Sequence, residues 1–241
     1  MAPTGPLEIQ EIVDLVVSYL KRNDIKTCVH VSKSWRRMFL PYRWRIVTAG
    51  SNVETYGGTS PIGPKQDAIS NHRHLIRDLS LFNKVRGYDE YHYPNLRRLV
   101  IDMSRHASKS NPLLMNITTM APMLADLTLV GVTAPSTFWE TLSTHPSIRH
   151  LDLAYLSLDV DDASGLWRTC IKLESLQMAN VGIDDRCRPE NVVFAQLRQL
   201  RLHSPDFLEG SSYHMNLMLQ SPMLESRNRR PQGRQWTRSC R

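Results

Sequence analysis

Six segments of the chain share one pattern of hydrophobic and polar positions, apolar-x-x-Leu-x-apolar: IRDLSL, LRRLVI, LADLTL, IRHLDL, LESLQM and LRQLRL. They begin at Ile76, Leu96, Leu124, Ile148, Leu173 and Leu197, so successive gaps are 20, 28, 24, 25 and 24 residues. Such a period marks a stack of similar units, each burying its apolar face against the next. Within a segment the Leu-x-apolar alternation predicts a short strand. Proline stands two residues ahead of the first apolar position at Pro94, Pro122, Pro146 and Pro222, where it halts any helix arriving from upstream. Between strands the period lengthens. Phe138, Trp139 and Leu142 follow Ser136; Leu166 and Trp167 follow Asp162; Met215, Met218 and Leu219 follow Ser212. Each group predicts a short helix behind a capping residue. Strand and helix in alternation predict an α/β fold with a parallel sheet.

If Leu79 and Leu81 point inward, Asp78, Ser80 and Phe82 point outward. The same alternation turns out Arg98, Val100 and Asp102; Asp126, Thr128 and Val130; His150, Asp152 and Ala154; Ser175, Gln177 and Ala179; and Gln199, Arg201 and His203. Six strands about 4.8 Å apart make a face roughly 25 Å wide, a size for a protein or peptide rather than a metabolite. The candidate contacts to such a target are Phe82, Arg98, Asp102, Asp126, His150, Asp152, Gln177 and Arg201.

Residues 7 to 47 lack the strand pattern. Ile9, Ile12, Val13, Val16 and Leu20 fall on one helical face that ends at Lys21 and Arg22. Asn23 and Asp24 can cap a second helix carrying Ile25, Cys28 and Val29. Ser32 can cap a third carrying Trp35, Met38 and Phe39 ahead of Pro41. Helices this short need large aromatics to find apolar area, so Trp35 is expected in a core rather than stacked on a base.

The repeated segments resemble leucine-rich repeats over about residues 70 to 224, and TCIKLESLQMANVGIDD, with Cys170 three residues before Leu173, resembles their cysteine-containing subtype. In place of that family's asparagine ladder stand Lys84, Ser104, Val132, Leu156, Val181 and Pro205, which implies an irregular solenoid whose turns close another way. EIVDLVVSYL (Glu11 to Leu20), Asp24-Ile25, VSKSWRRMF (Val31 to Phe39) and Trp44 resemble an F-box, although Gln10 stands where many F-boxes carry proline. The two resemblances imply an α/β protein: a three-helix F-box at 7–47, a linker at 48–70, about six leucine-rich repeats at 71–225 with a parallel concave sheet, and a basic tail at 226–241. They imply a non-catalytic substrate-recognition subunit of a cullin-RING ubiquitin ligase. Its F-box would dock a Skp-type adaptor, and through it the cullin scaffold, by Ile9, Ile12, Val16, Leu20, Val31, Ser32 and Trp35. The strand face would hold a protein target of unknown identity.

Charge and chemistry narrow this further. The net charge is +7, yet it is unevenly spread: +6 after Glu225, +4 over residues 1–47 and −3 over residues 48–225. A nucleic-acid surface on the largest part would form against its charge, so nucleic acid is disfavoured there and would fall to the arginine-rich tail. Cys28, Cys170, Cys187 and Cys240 are scattered, which points to reduced thiols rather than disulfides or a thiolate zinc site. His72 and His74 have no third metal ligand at a recognisable spacing, and GxGxxG, GxxxxGK[ST], GxSxG and HExxH are all absent. No catalytic residue, metal or cofactor is called for, and the protein is read as not an enzyme. With no signal peptide or membrane span expected, the reading is cytoplasmic or nuclear. A seventh unit begins at Ser221-Pro222-Met223-Leu224 but places Arg227 and Arg229 at its inward positions. The tail is then either a disordered basic segment or the end of a shortened array, the missing cap favouring the second.

Overall fold

The structure, a computed structural model, describes residues 10–50, 64, 66–82, 88, 90–104, 112–183 and 193–203. Three helices come first: α1 (Gln10–Tyr19), α2 (Arg22–Val31) and α3 (Lys33–Arg45). Seven parallel strands follow in chain order across one open sheet: β1 (Ile46–Ala49), β2 (Asp78–Phe82), β3 (Arg98–Asp102), β4 (Asp126–Val130), β5 (His150–Leu158), β6 (Ser175–Ile183) and β7 (Gln199–His203). Between them lie α4 (Gln66–His72), α5 (Pro112–Met115), α6 (Ile117–Met120), α7 (Ser136–Thr144) and α8 (Val160–Cys170). The protein is mixed α/β, as the alternating periods predict.

The six predicted strands appear with the predicted inward leucines, and a seventh precedes them. In register across the sheet, Leu79, Leu99, Leu127, Leu151 and Leu176 form one row, and Leu81, Ile101, Leu129, Leu153 and Met178 the next, all buried. A third row, Ile76, Leu96, Leu124, Ile148, Leu173 and Leu197, lies two residues ahead of the strands and is also buried. Fully burying one such side chain is worth about 1.5–3 kcal/mol, so every unit contributes several through these rows alone. On the same side pack Leu114, Ile117, Phe138, Trp139, Leu142, Leu166 and Trp167 from the helices.

Trp44 stands in the first unit where later units place the leading leucine or isoleucine, because Ile46 pairs with Asp78. It packs against the main core, its ring 4.6 Å from that of His72. β1 was not foreseen, since residues 48–70 read as a linker. Thr48 and Ala49 lie in that strand and α4 falls in the same stretch.

Other expectations shift locally: the cap of α2 is Lys21 rather than Asn23 or Asp24, with the Lys21 N–H donating to Asp24 Oδ2 at 3.0 Å. α3 runs through Pro41 to Arg45. Proline there forfeits one backbone bond, but Phe39 on one side of it and Tyr42 and Trp44 on the other pack into the two cores and hold the helical path. The caps of α7 and α8 are Pro135 and Asp159 rather than Ser136 and Asp162, with the Asp159 carboxylate accepting from the Asp162 N–H at 2.9 Å. Asp162 is buried beside Asp159, and burial pushes its carboxyl up to about 6.

The turns are closed by four devices. Gly131, Tyr155 and Asn180, aligned across β4, β5 and β6, all take left-handed backbone (φ +61°, +56° and +53°). That reverses the inward–outward phase and buries Val132, Leu156 and Val181, the positions where the resemblance would have asparagine. Lys84 and Pro205 lie outside the described residues, and at Ser104 the N–H instead donates to Asp102 Oδ1 at 3.0 Å. Neutral His145, fully buried, donates from Nε2 to the Ala121 carbonyl (3.0 Å) and accepts at Nδ1 from the Ser147 N–H (3.3 Å); burial holds its pKa below the ordinary value. Lys172 Nζ donates to the carbonyls of Leu142, Ser143 and His145 at the end of α7, where the helix dipole favours a cation.

α7 and α8 touch at Gly165, where an added Cβ would lie 2.5 Å from Trp139 Cβ, whereas at Gly182 the nearest atoms stand 3.9 Å away. Gly165→Ala is expected to cost about 1–3 kcal/mol through overpacking, with Gly182→Ala close to neutral. Chemical denaturation of the two variants measures the contrast; equal stabilities would mean that the helices do not meet there.

Candidate functional site

The outward side of the sheet carries all eight candidate target contacts, and the register groups them. Arg98, Asp126 and His150 are neighbours in one row, Asp152, Gln177 and Arg201 in a second, and Phe82 and Asp102 in a third. Each alternates along its strand with inward residues, buried in β2 to β6 and half-buried in β7, so the alternation aims them away from the leucines. Charge alternates along the first row from Asp78 through Arg98 to Asp126, and His150 Nε2 lies 3.8 Å from Asp126 Oδ1. Opposite charges on adjacent strands stabilise the pairing modestly and leave the row nearly self-compensated.

Asp152 sits at the middle of this face and is half-buried. Burial pushes its carboxyl above the ordinary carboxylate range, while Arg98, His203 and Arg201 oppose the shift. Around it Val100, Thr128, Val130, Ala154 and Ala179 present small or apolar side chains, so a flat centre is flanked by charge. The arrangement can receive a polypeptide by shape and paired charges. It holds no nucleophile–base pair, and no group of three metal-ligating side chains occurs among the described residues.

The second candidate surface is the helical module, which has its own core. Val13, Ile25 and Phe39 are buried in it, with Val16, Val17, Leu20, Cys28, Val29, Trp35, Met38 and Tyr42 packed around them. The Trp35 and Phe39 rings stand 5.3 Å apart, and Ser32 caps α3 by accepting from the Trp35 N–H at 3.2 Å. Tyr42 ties α3 to α1 through its hydroxyl, which hydrogen-bonds Asp14 and Gln10; burial pushes that hydroxyl up to about 12. Neither family models nor curated proteins match this chain.

Of the predicted adaptor contacts, Val16, Leu20 and Trp35 therefore serve the module's own core, Ser32 is a cap, Ile12 is half-buried and Val31 is exposed; Ile9 lies outside the described residues. The periodicity reading passed over Leu15 and Tyr19, which are 59% and 81% exposed. With Ile12 they follow a second helical spacing, three and four residues apart, and share an outward stripe of α1. The signal was present in the sequence, masked by the stronger inward stripe beside it. No helix among the described residues is long and apolar enough to cross a membrane.

The position of Asp152 gives a direct test of the face. Its carboxyl is expected to titrate above the ordinary value, and higher still in Arg98→Ala, which removes a stabilising cation. Because the folded form is the one with the raised pKa, Asp152→Asn stabilises the protein at neutral pH, and that gain disappears as pH falls through the folded pKa to the unfolded value. Carbon-detected NMR titration and pH-dependent melting read both effects; an Asp152 carboxyl insensitive to Arg98→Ala would separate the two residues.

Proposed function

We propose that the chain is a non-catalytic recognition subunit of a ubiquitin ligase: an F-box that docks a Skp-type adaptor, fused to an irregular leucine-rich-repeat solenoid that holds a target protein. The observation that carries this reading is the helical module. It closes a small core of its own yet leaves Leu15, Tyr19 and Val31 uncovered by the rest of the described chain, as a docking domain requires. Supporting it are the leucine rows behind a parallel ladder, the resemblance of VSKSWRRMF to an F-box, and a polar face of protein size.

The mechanism is proximity. Bound between module and face, a target's lysines meet a charged ubiquitin-conjugating enzyme at raised local concentration, and the subunit adds no chemistry of its own. Trp44 matters because it belongs to both parts: it lies in the last turn of α3 and fills the first place of the leucine stack. A docked adaptor would thereby be held in a fixed relation to the face.

Co-expression with a Skp-type adaptor is expected to yield a complex that Tyr19→Asp with Val31→Asp weakens at least about tenfold, at unchanged melting temperature. Trp35→Ala should instead destabilise the module by roughly 2 kcal/mol and lose the adaptor through unfolding. A wild-type chain that captures no adaptor would overturn the proposal and leave a repeat scaffold without a ligase role.

A further inference from the structure

The residue immediately before each strand forms a row of its own along the edge of the sheet. Its places hold Arg45, Arg77, Arg97, Arg149 and Arg198, interrupted by Ala125 and Glu174. The row is rigid, because each N–H donates to the carbonyl of the same place in the preceding unit, at 2.8–2.9 Å throughout. Successive members are therefore about 4.8 Å apart. Linear charge counting hides the row, because the acids that balance it, among them Asp78, Asp102, Asp126 and Asp152, sit on the neighbouring face instead.

The members differ in what they already do. Arg149 is engaged: its Nη1 donates to the Pro146 and Ile148 carbonyls and its Nε lies 3.8 Å from Glu174 Oε1. Arg45, Arg77 and Arg97 are exposed, and among the described residues none makes an ion pair or a side-chain hydrogen bond. Three adjacent guanidinium groups with one sign of charge repel each other, a cost to stability. Their field does reach a carboxylate: Asp14 on α1 is held below the ordinary range mainly by the Tyr42 hydroxyl, and also by Arg45 and Arg77.

We propose that Arg45, Arg77 and Arg97 form a second recognition surface, which takes a short acidic segment, rich in aspartate or glutamate, of a partner protein. The three span roughly 10 Å, the reach of three or four residues of extended chain, and a guanidinium pairs with a carboxylate through two parallel hydrogen bonds. A nucleic-acid strand fits less well, since its continuous phosphates would run on past Glu174 and beside the carboxylates of the adjoining face. The proposal does not depend on adaptor docking and holds for a scaffold equally.

The test is fluorescence anisotropy of a labelled peptide containing four consecutive glutamates, titrated with the full chain. Binding is expected to weaken at least about tenfold in Arg77→Glu with Arg97→Glu. It should weaken measurably in the milder Arg77→Gln with Arg97→Gln, at unchanged melting temperature, and steeply as salt rises from about 0.05 to 0.5 M. A glutamine version of the peptide should not bind, and adaptor capture should be unaffected by any of these variants. A parallel chain with Arg227, Arg229, Arg230, Arg234, Arg238 and Arg241 changed to serine should keep its affinity within about threefold. The proposal is overturned if the double variants bind as wild type, if the serine chain alone loses binding, or if single-stranded RNA binds tighter than the peptide with the same dependence on Arg77 and Arg97.

Discussion

Everything in this molecule depends on the burial of leucine rows that run across the units rather than along any one of them. A single unit offers three inward side chains and a helix of at most eleven residues, too little apolar area to fold alone. Stacked, each leucine finds the next unit's leucine one strand away, and the parallel ladder keeps them in step. The backbone bonds before the strands repeat the same step, so the hydrophobic rows and the hydrogen-bonded rows enforce one register. Because strand side chains alternate, fixing the inward rows fixes the outward ones. The polar face and the arginine row take their positions from leucine packing.

The same constraint explains what sits at the ends of the units. A unit that turns without an asparagine ladder must still satisfy its backbone and cover its core. Left-handed residues at Gly131, Tyr155 and Asn180 rotate an aliphatic side chain into the gap. At the other end Tyr93, Ala121, His145, Cys170 and Phe194, each three residues before the leading apolar position, form another fully buried row. His145 and Lys172 bring polar atoms into this region, and both donate them to backbone carbonyls there.

Much of this was legible in the sequence because one unit repeats: chance matches to a six-residue pattern are common, but agreement in period and proline placement is not. The strands, their inward leucines and the eight outward candidates followed from alternation alone. What stayed hidden has identifiable causes. β1 lacks the leading leucine, its place taken by Trp44, so the repeated pattern starts one unit late in the sequence. α3 continues through Pro41 because tertiary packing outweighs a local penalty. Leu15 and Tyr19 escaped because one helix carries two apolar stripes and the inward one dominates the moment. The arginine row could not be seen without register, since its members are 20 to 52 residues apart in the chain.

Register is thus what places both the face and the arginine row. Spin labels at Ile46→Cys and Gln199→Cys, both exposed and at the same place in the first and last strands, measure it in a chain whose native cysteines are replaced by alanine. Six strand spacings put the two positions roughly 29 Å apart, and pulsed dipolar spectroscopy should return a single narrow distance near that value. A distance well beyond about 40 Å, or a broad distribution without a maximum, would mean that the strands do not stack in chain order.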